Sequence, residues 1–148
     1  MNKMIEEYED MHIFYDGQLA QIHIGLIEGL DVSIYAKPEF SDTMMWQIRE
    51  GLERGLDTSI YANPVFSWVE MRQIRLGLEK GLDVSTYAKP EFDFWQMKEI
   101  RLGLEAGIDV SIYARPEIDF VKMEEIRTQL SGETIVQKVA MFGRSECE

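Results

Sequence analysis

The sequence predicts an all-α protein: an α-solenoid of tandem 26-residue repeats, each a long helix followed by a short one, with a helical cap at either end. Its hand, right or left, stays open. Three observations predict it. A Tyr-Ala-X-Pro motif returns at Tyr35, Tyr61, Tyr87 and Tyr113, always 26 residues on. Within a unit, apolar residues recur at helical spacing, as Met71, Ile74 and Leu78 do at i, i+3 and i+7. Glycine and proline fall at fixed places that end helices. Self-similarity at a fixed period marks stacked units, none of which buries its apolar face alone.

Residues 1–13 form the N-terminal cap. Met4, Ile5, Tyr8 and Met11 make its apolar face, with Glu6, Glu7, Glu9 and Asp10 opposite. Four repeats fill residues 14–117, opened by Phe14, Phe40, Phe66 and Phe92. In the third, Ser67 is a candidate N-cap, as Asp93 is in the fourth. The long helix then covers roughly 68–80, about 20 Å at 1.5 Å per residue. Gly81 stands at its left-handed C′ position, in series with Gly29, Gly55 and Gly107. Asp83 caps a short second helix over 84–88, and Pro90 forbids its continuation. A second series, Gly25, Gly51, Gly77 and Gly103, lies inside the long helices. Glycine there costs about 1 kcal/mol against alanine, so the close approach of another backbone is expected.

Residues 118–143 hold a truncated fifth repeat, opened by Ile118, and a C-terminal cap helix. Gln129 and Glu133 stand where the glycines would be. Ile135, Val136, Val139 and Met141 supply the covering face, ended near Gly143, and residues 144–148 are a frayed tail. No interdomain linker is visible, so 1–148 reads as a single helical-repeat domain.

The 148 residues carry 27 acidic and 15 basic side chains, a net charge of −12, and 45% are hydrophobic. The chain should therefore fold. Its acidity argues against direct nucleic-acid binding and against an anionic membrane. It permits a protein partner with a basic, nucleic-acid-binding surface. No apolar stretch approaches the ~18 residues of a membrane span. The N-terminus turns acidic where a signal peptide needs an apolar core. The lone cysteine, Cys147, rules out an internal disulfide, which fits a reducing cytoplasm.

Little in the chain points to catalysis. His23 occupies the place held by Arg49, Arg75, Arg101 and Arg127 in other units, and a ligand or general base would not be exchanged for repeated arginine. No Cys/His cluster has zinc spacing, and no segment matches a calcium loop. The Gly-X-X-X-Gly pairs lack the Lys-Ser/Thr of a phosphate loop. The expectation is a protein with no enzymatic activity, no metal and no cofactor. The arginines have two structural readings: i, i+4 pairs with Glu53, Glu79 and Glu105, or staples to the turn aspartates. Asp31, Asp57, Asp83 and Asp109 read as caps for Ser33, Ser59, Ser85 and Ser111. The four repeated tyrosines read as packing residues whose hydroxyls need a partner.

The informative positions are those that vary. Units 66–91 and 92–117 agree at 16 of 26 positions, and their differences gather at the start of the long helix. A constant core with a varied edge is how repeat proteins build binding surfaces, and aromatics are typical interface anchors. The candidate partner-binding residues are Tyr15, Trp46, Trp68, Phe94, Trp95 and Phe120. The alternative is that the tryptophans fill gaps between neighbouring long helices. Glu28, Glu39, Glu50, Glu53, Glu79, Glu91, Glu105 and Glu117 are either an acidic binding surface or a solvated face.

Gln-Ile-Arg-Leu-Gly-Leu-Glu-Lys-Gly-Leu-Asp-Val-Ser-Thr-Tyr-Ala-Lys-Pro, residues 73–90, resembles a tandem repeat of uncharacterised bacterial proteins, many carried by phages and other mobile elements. The resemblance covers about residues 14–130. It is specific for the repeat and carries no functional residue across. It implies a mobile-element context, in which small acidic proteins inhibit host defence, anti-CRISPR proteins among them, by occupying a basic nucleic-acid channel. The function expected is therefore a non-enzymatic protein-binding module, an inhibitor of a defence nuclease. The alternative is an adaptor or self-assembling scaffold, since uncapped repeat ends invite self-association.

Overall fold

The computed structural model describes residues 2–132, and all its regular elements there are helical. The long helices are α1 (Asn2–Asp10), α2 (Asp16–Ile27), α3 (Asp42–Glu53), α4 (Trp68–Glu79) and α5 (Phe94–Glu105). Residues 120–132 are also helical, α6. After α2, α3, α4 and α5 come 3-10 turns at Val32–Ile34, Thr58–Ile60, Val84–Thr86 and Val110–Ile112. The expected short second helix is thus a single 3-10 turn. The C-terminal cap helix, the frayed tail and Cys147 lie outside the described residues.

Each boundary has a local cause. Ser41 Oγ accepts the Met44 N–H at 3.2 Å, Ser67 Oγ that of Glu70 at 3.3 Å, Asp93 Oδ1 that of Gln96 at 2.9 Å and Asp119 Oδ1 that of Lys122 at 2.8 Å. Gly29, Gly55, Gly81 and Gly107 take φ between +69° and +72°, the left-handed residue that ends each helix. The turn aspartates cap their 3-10 turns by accepting the serine N–H two residues on, at 3.1–3.3 Å. Asp109, bonded by the hydroxyl and N–H of Ser111, is held below the usual carboxylate range.

The chain forms two compact units, divided between Gly81 and Leu82. In the first, α1 packs on α2, α2 on α3 and α3 on α4. Ile22, Met45, Ile48, Met71 and Ile74 are fully buried, as are Tyr35 and Tyr61. Each such side chain contributes about 1.5–3 kcal/mol. In the second, Met97, Ile100, Tyr113 and Met123 are fully buried. The N-terminal cap is smaller than expected. Ile5 is buried, but Met4 and Met11 are about half exposed, and α1 ends at Asp10, one residue before Met11.

The helix-interior glycines are explained by a side chain, not by a neighbouring backbone. A Cβ on Gly51 would overlap the Tyr61 hydroxyl and meet Thr58 Cγ2 at 2.7 Å. Gly25 faces Tyr35 and Val32 in the same way, and Gly103 faces Tyr113 and Val110. The tyrosine hydroxyl needs that gap to reach the helix backbone. Tyr35, Tyr61 and Tyr113 donate to the carbonyls of Gln21, Gln47 and Glu99 at 2.6, 2.6 and 2.8 Å. Burial pushes these phenols well up, Tyr113 to about 12.

Candidate functional site

The varied edge consists of the first turn of each long helix. The N-cap bonds fix where that turn begins, so the residues just after the cap emerge beside solvent. In the second unit the structure gathers three of the candidate residues. The Phe94 and Trp95 rings meet edge-on with centroids 4.8 Å apart, and Trp95 stacks on Phe120 at 5.4 Å with planes 29° apart. Trp95 is 51% exposed, and Phe94 and Phe120 are half-buried against it. Lys98 Nζ lies 5.9 Å from the Trp95 ring centroid, in cation–π range. Such rings are large, rigid and partly desolvated, which is the character of an interface anchor.

Gln96 explains why this edge is firm. Its side-chain amide donates to the carbonyls of Pro116 and Ile118 at 3.0 and 2.7 Å, and its Oε1 accepts the Asp93 N–H at 3.0 Å. The loop that leads to Phe120 is thereby latched to the start of α5. Gln18 makes the same latch in the first unit, to Pro38 and Phe40 at 3.2 and 2.6 Å. Sequence reasoning missed both glutamines. The signal available was a glutamine at equivalent places in two units.

The first-unit candidates are arranged differently. Trp46 and Trp68 are each 40% exposed, and no ring contact joins them among the described residues. Tyr15 has a structural task. Its hydroxyl accepts the Asp42 N–H at 2.8 Å and donates to Asp42 Oδ1 at 3.3 Å, so it tethers the start of α2 to the first residue of α3.

Among the described residues, Arg49, Arg75 and Arg127 pair with glutamates and glutamines and not with the turn aspartates. The i, i+4 pairs are present, Arg49 with Glu53, Arg75 with Glu79 and Arg101 with Glu105. Arg49, Arg75 and Arg127 also find an acceptor on the preceding helix, which was not among the expected partners; for Arg75 it is Gln47. Arg49 Nε donates to Gln21 Oε1 at 2.8 Å, and Arg127 Nε to Glu99 Oε2 at 2.7 Å. At the α2–α3 joint, Glu28 Oε1 lies 3.9 Å from the same Arg49 nitrogen that binds Glu53. The carboxyl of Glu53 is pushed up, first by its hydrogen bond with Glu28 and then by burial.

Among the described residues no three His, Cys, Asp or Glu side chains are placed to hold a metal ion. No described helix is long and apolar enough to cross a membrane. A groove lies in the first unit between α1 and α2. No family model matches the chain, and no characterised protein or solved structure matches it.

Proposed function

We propose that this chain is a non-enzymatic protein-binding module, a capped α-solenoid of 26-residue repeats that presents aromatic anchors on its varied edge. The observation that carries this reading is the Phe94–Trp95–Phe120 cluster, which keeps about half of Trp95 in water although both neighbouring rings are packed against it. Leaving an indole exposed forgoes burial energy, and contact with a partner supplies it. The net charge of −12 favours a partner with a basic surface and faster, salt-sensitive association. In its finest form the proposal is a cytoplasmic inhibitor of a bacterial defence nuclease, anti-CRISPR-like, that blocks a nucleic-acid channel. The support for that form is the acidity and the mobile-element context of similar repeats.

The test is affinity capture from a native bacterial lysate with wild type and a Trp95→Ala/Phe120→Ala variant, both shown to be folded by circular dichroism. The expected result is a nucleic-acid enzyme held by wild type, released by salt and lost from the variant. Equal capture by both proteins would overturn the aromatic-edge assignment. Recovery of the bait alone, with mass rising with concentration in light scattering, would replace it with a self-assembling scaffold.

A further inference from the structure

The α1–α2 groove becomes informative when it is compared with the other joints of the first unit. At the α2–α3 joint the cleft between helices is filled by Arg49, whose guanidinium reaches Gln21 on the preceding helix. At the α3–α4 joint Arg75 does the same with Gln47 at 2.9 Å. Both arginines are buried, at 8% and 7% exposure. At the α1–α2 joint the equivalent residue is His23, which is shorter and exposed. The cleft there stays open, with about 440 Å³ of free volume. Its walls are apolar, from Ile5, Leu19 and Ile24, and its polar lining is Glu9, Asp16 and His23.

The groove lacks the arginine of the other joints and its i, i+4 glutamate, replaced by Ile27, but offers Glu9 and Asp16 as carboxylates of its own. Aliphatic walls suit the three-carbon stem, and carboxylates suit the guanidinium fork. Neither Glu9 nor Asp16 has a cationic partner among the described residues. Acidic Glu6, Glu7 and Asp10 on α1 add to the local field. We infer that the α1–α2 groove is a receptor for an arginine side chain offered by an exposed segment of a basic protein partner. This rests on the reading of the chain as a protein-binding module, and adds a second contact, away from the aromatic edge, with its own chemistry.

The experiment is an amide NMR titration of the full chain with N-acetyl-arginine amide and, separately, with the neutral citrulline analogue. Saturable shifts are expected at Ile5, Leu19, His23 and Ile24 with arginine, and binding about tenfold weaker with citrulline, which keeps the shape and loses the charge. His23→Arg should fill the groove from within and abolish the shifts. Glu9→Gln/Asp16→Asn should weaken them even if His23→Arg fails to fold. No saturable shift in wild type would overturn the inference, as would equal binding of citrulline, or shifts that survive in the folded variants. Sedimentation at the same concentrations tests the occupant. A dimer that His23→Arg dissolves would assign the groove to a second copy and overturn the basic-partner assignment. Trp95→Ala/Phe120→Ala should leave arginine binding unchanged, so failure at the groove and failure at the aromatic edge are separately visible.

Discussion

Arg75 on α4 donates its Nε proton to the side-chain oxygen of Gln47 on α3 at 2.9 Å, and neither residue is more than 7% exposed. The bond spans 28 residues, as do Arg49–Gln21 and Arg127–Glu99. It converts an arginine that pairs with Glu79 one turn away into a link between successive helices. Burying a guanidinium requires that its donors be met, so the glutamine is as necessary as the arginine.

Gln47→Leu removes that acceptor and leaves a buried cationic donor unmet. A loss of about 2–3 kcal/mol in urea unfolding is expected. Gln47→Glu should behave differently. Nε2 of Gln47 is a buried donor with no partner, and Glu99 shows that a carboxylate fits the equivalent place. Gln47→Glu is therefore expected to match or exceed wild type at neutral pH. If the leucine and glutamate variants melted alike, the acceptor role would be wrong.

Two glycines four residues apart should respond to alanine for different reasons. Gly51→Ala drives a Cβ into the Tyr61 hydroxyl and Thr58, and overpacking of this kind costs about 1–3 kcal/mol. Gly55→Ala meets nothing within 4 Å but must hold φ at +69°, which costs about 1–2 kcal/mol. Tyr61→Phe removes the clashing oxygen, so it should recover part of the loss in Gly51→Ala and none in Gly55→Ala. A double-mutant cycle by thermal unfolding measures the difference.

The glycine comparison also indicates what the sequence can and cannot carry. Helix starts at Ser67 and Asp93 and stops at Gly29, Gly55 and Gly81 were legible, because caps and left-handed residues are local chemistry. The partner of Gly51 was not, because the gap it leaves is used by a tyrosine ten residues away whose hydroxyl needs a helix carbonyl. The Gln47–Arg75 bond was missed for a similar reason: two positions 28 residues apart meet only after two helices pack. In the candidate site, the place of Trp95 on the varied edge was legible, whereas its exposure was left open and its stacking on Phe120 depends on the loop latched by Gln96.

The α2–α3 joint carries a like-charge pair that its neighbour avoids. Glu28 shares Arg49 with Glu53, whereas the equivalent residue at the α3–α4 joint is Arg54, 3.1 Å from Glu79. Since the folded state raises the Glu53 carboxyl above its ordinary 4.5, folding there favours the protonated acid. That contribution is full below the ordinary value and disappears as pH rises through the folded one. Glu28→Lys, which copies the charge at Arg54, is expected to stabilise the chain near neutrality. The gain should be only about 0.5 kcal/mol, since Glu28 is 39% exposed and solvent screens it. Denaturant midpoints across pH 4–8 check this, where the range is roughly that of carboxylate titration; a gain as large under acid as at neutrality would exclude the carboxylate pair as its cause.

The buried tyrosines set the opposite limit. Burial raises Tyr35, Tyr61, Tyr87 and Tyr113 above the ordinary 10.0, Tyr113 to about 12 despite the guanidinium of Arg127 nearby. A phenol raised on folding contributes stability that is complete below the unfolded value and lost as pH climbs through the folded one. For Tyr113 that amounts to roughly 2–3 kcal/mol withdrawn between pH 10 and 12. Stability is therefore expected to be flat up to about pH 9 and to fall steeply above pH 10. Phenolate absorbance of these four residues should rise together with the loss of helical circular dichroism. Tyr61→Phe should be less stable at neutral pH, having lost the bond to Gln47, yet fall less steeply under alkali. Early phenolate absorbance with the helices intact would show that the hydroxyls are not buried against the helix carbonyls as the glycine gaps require.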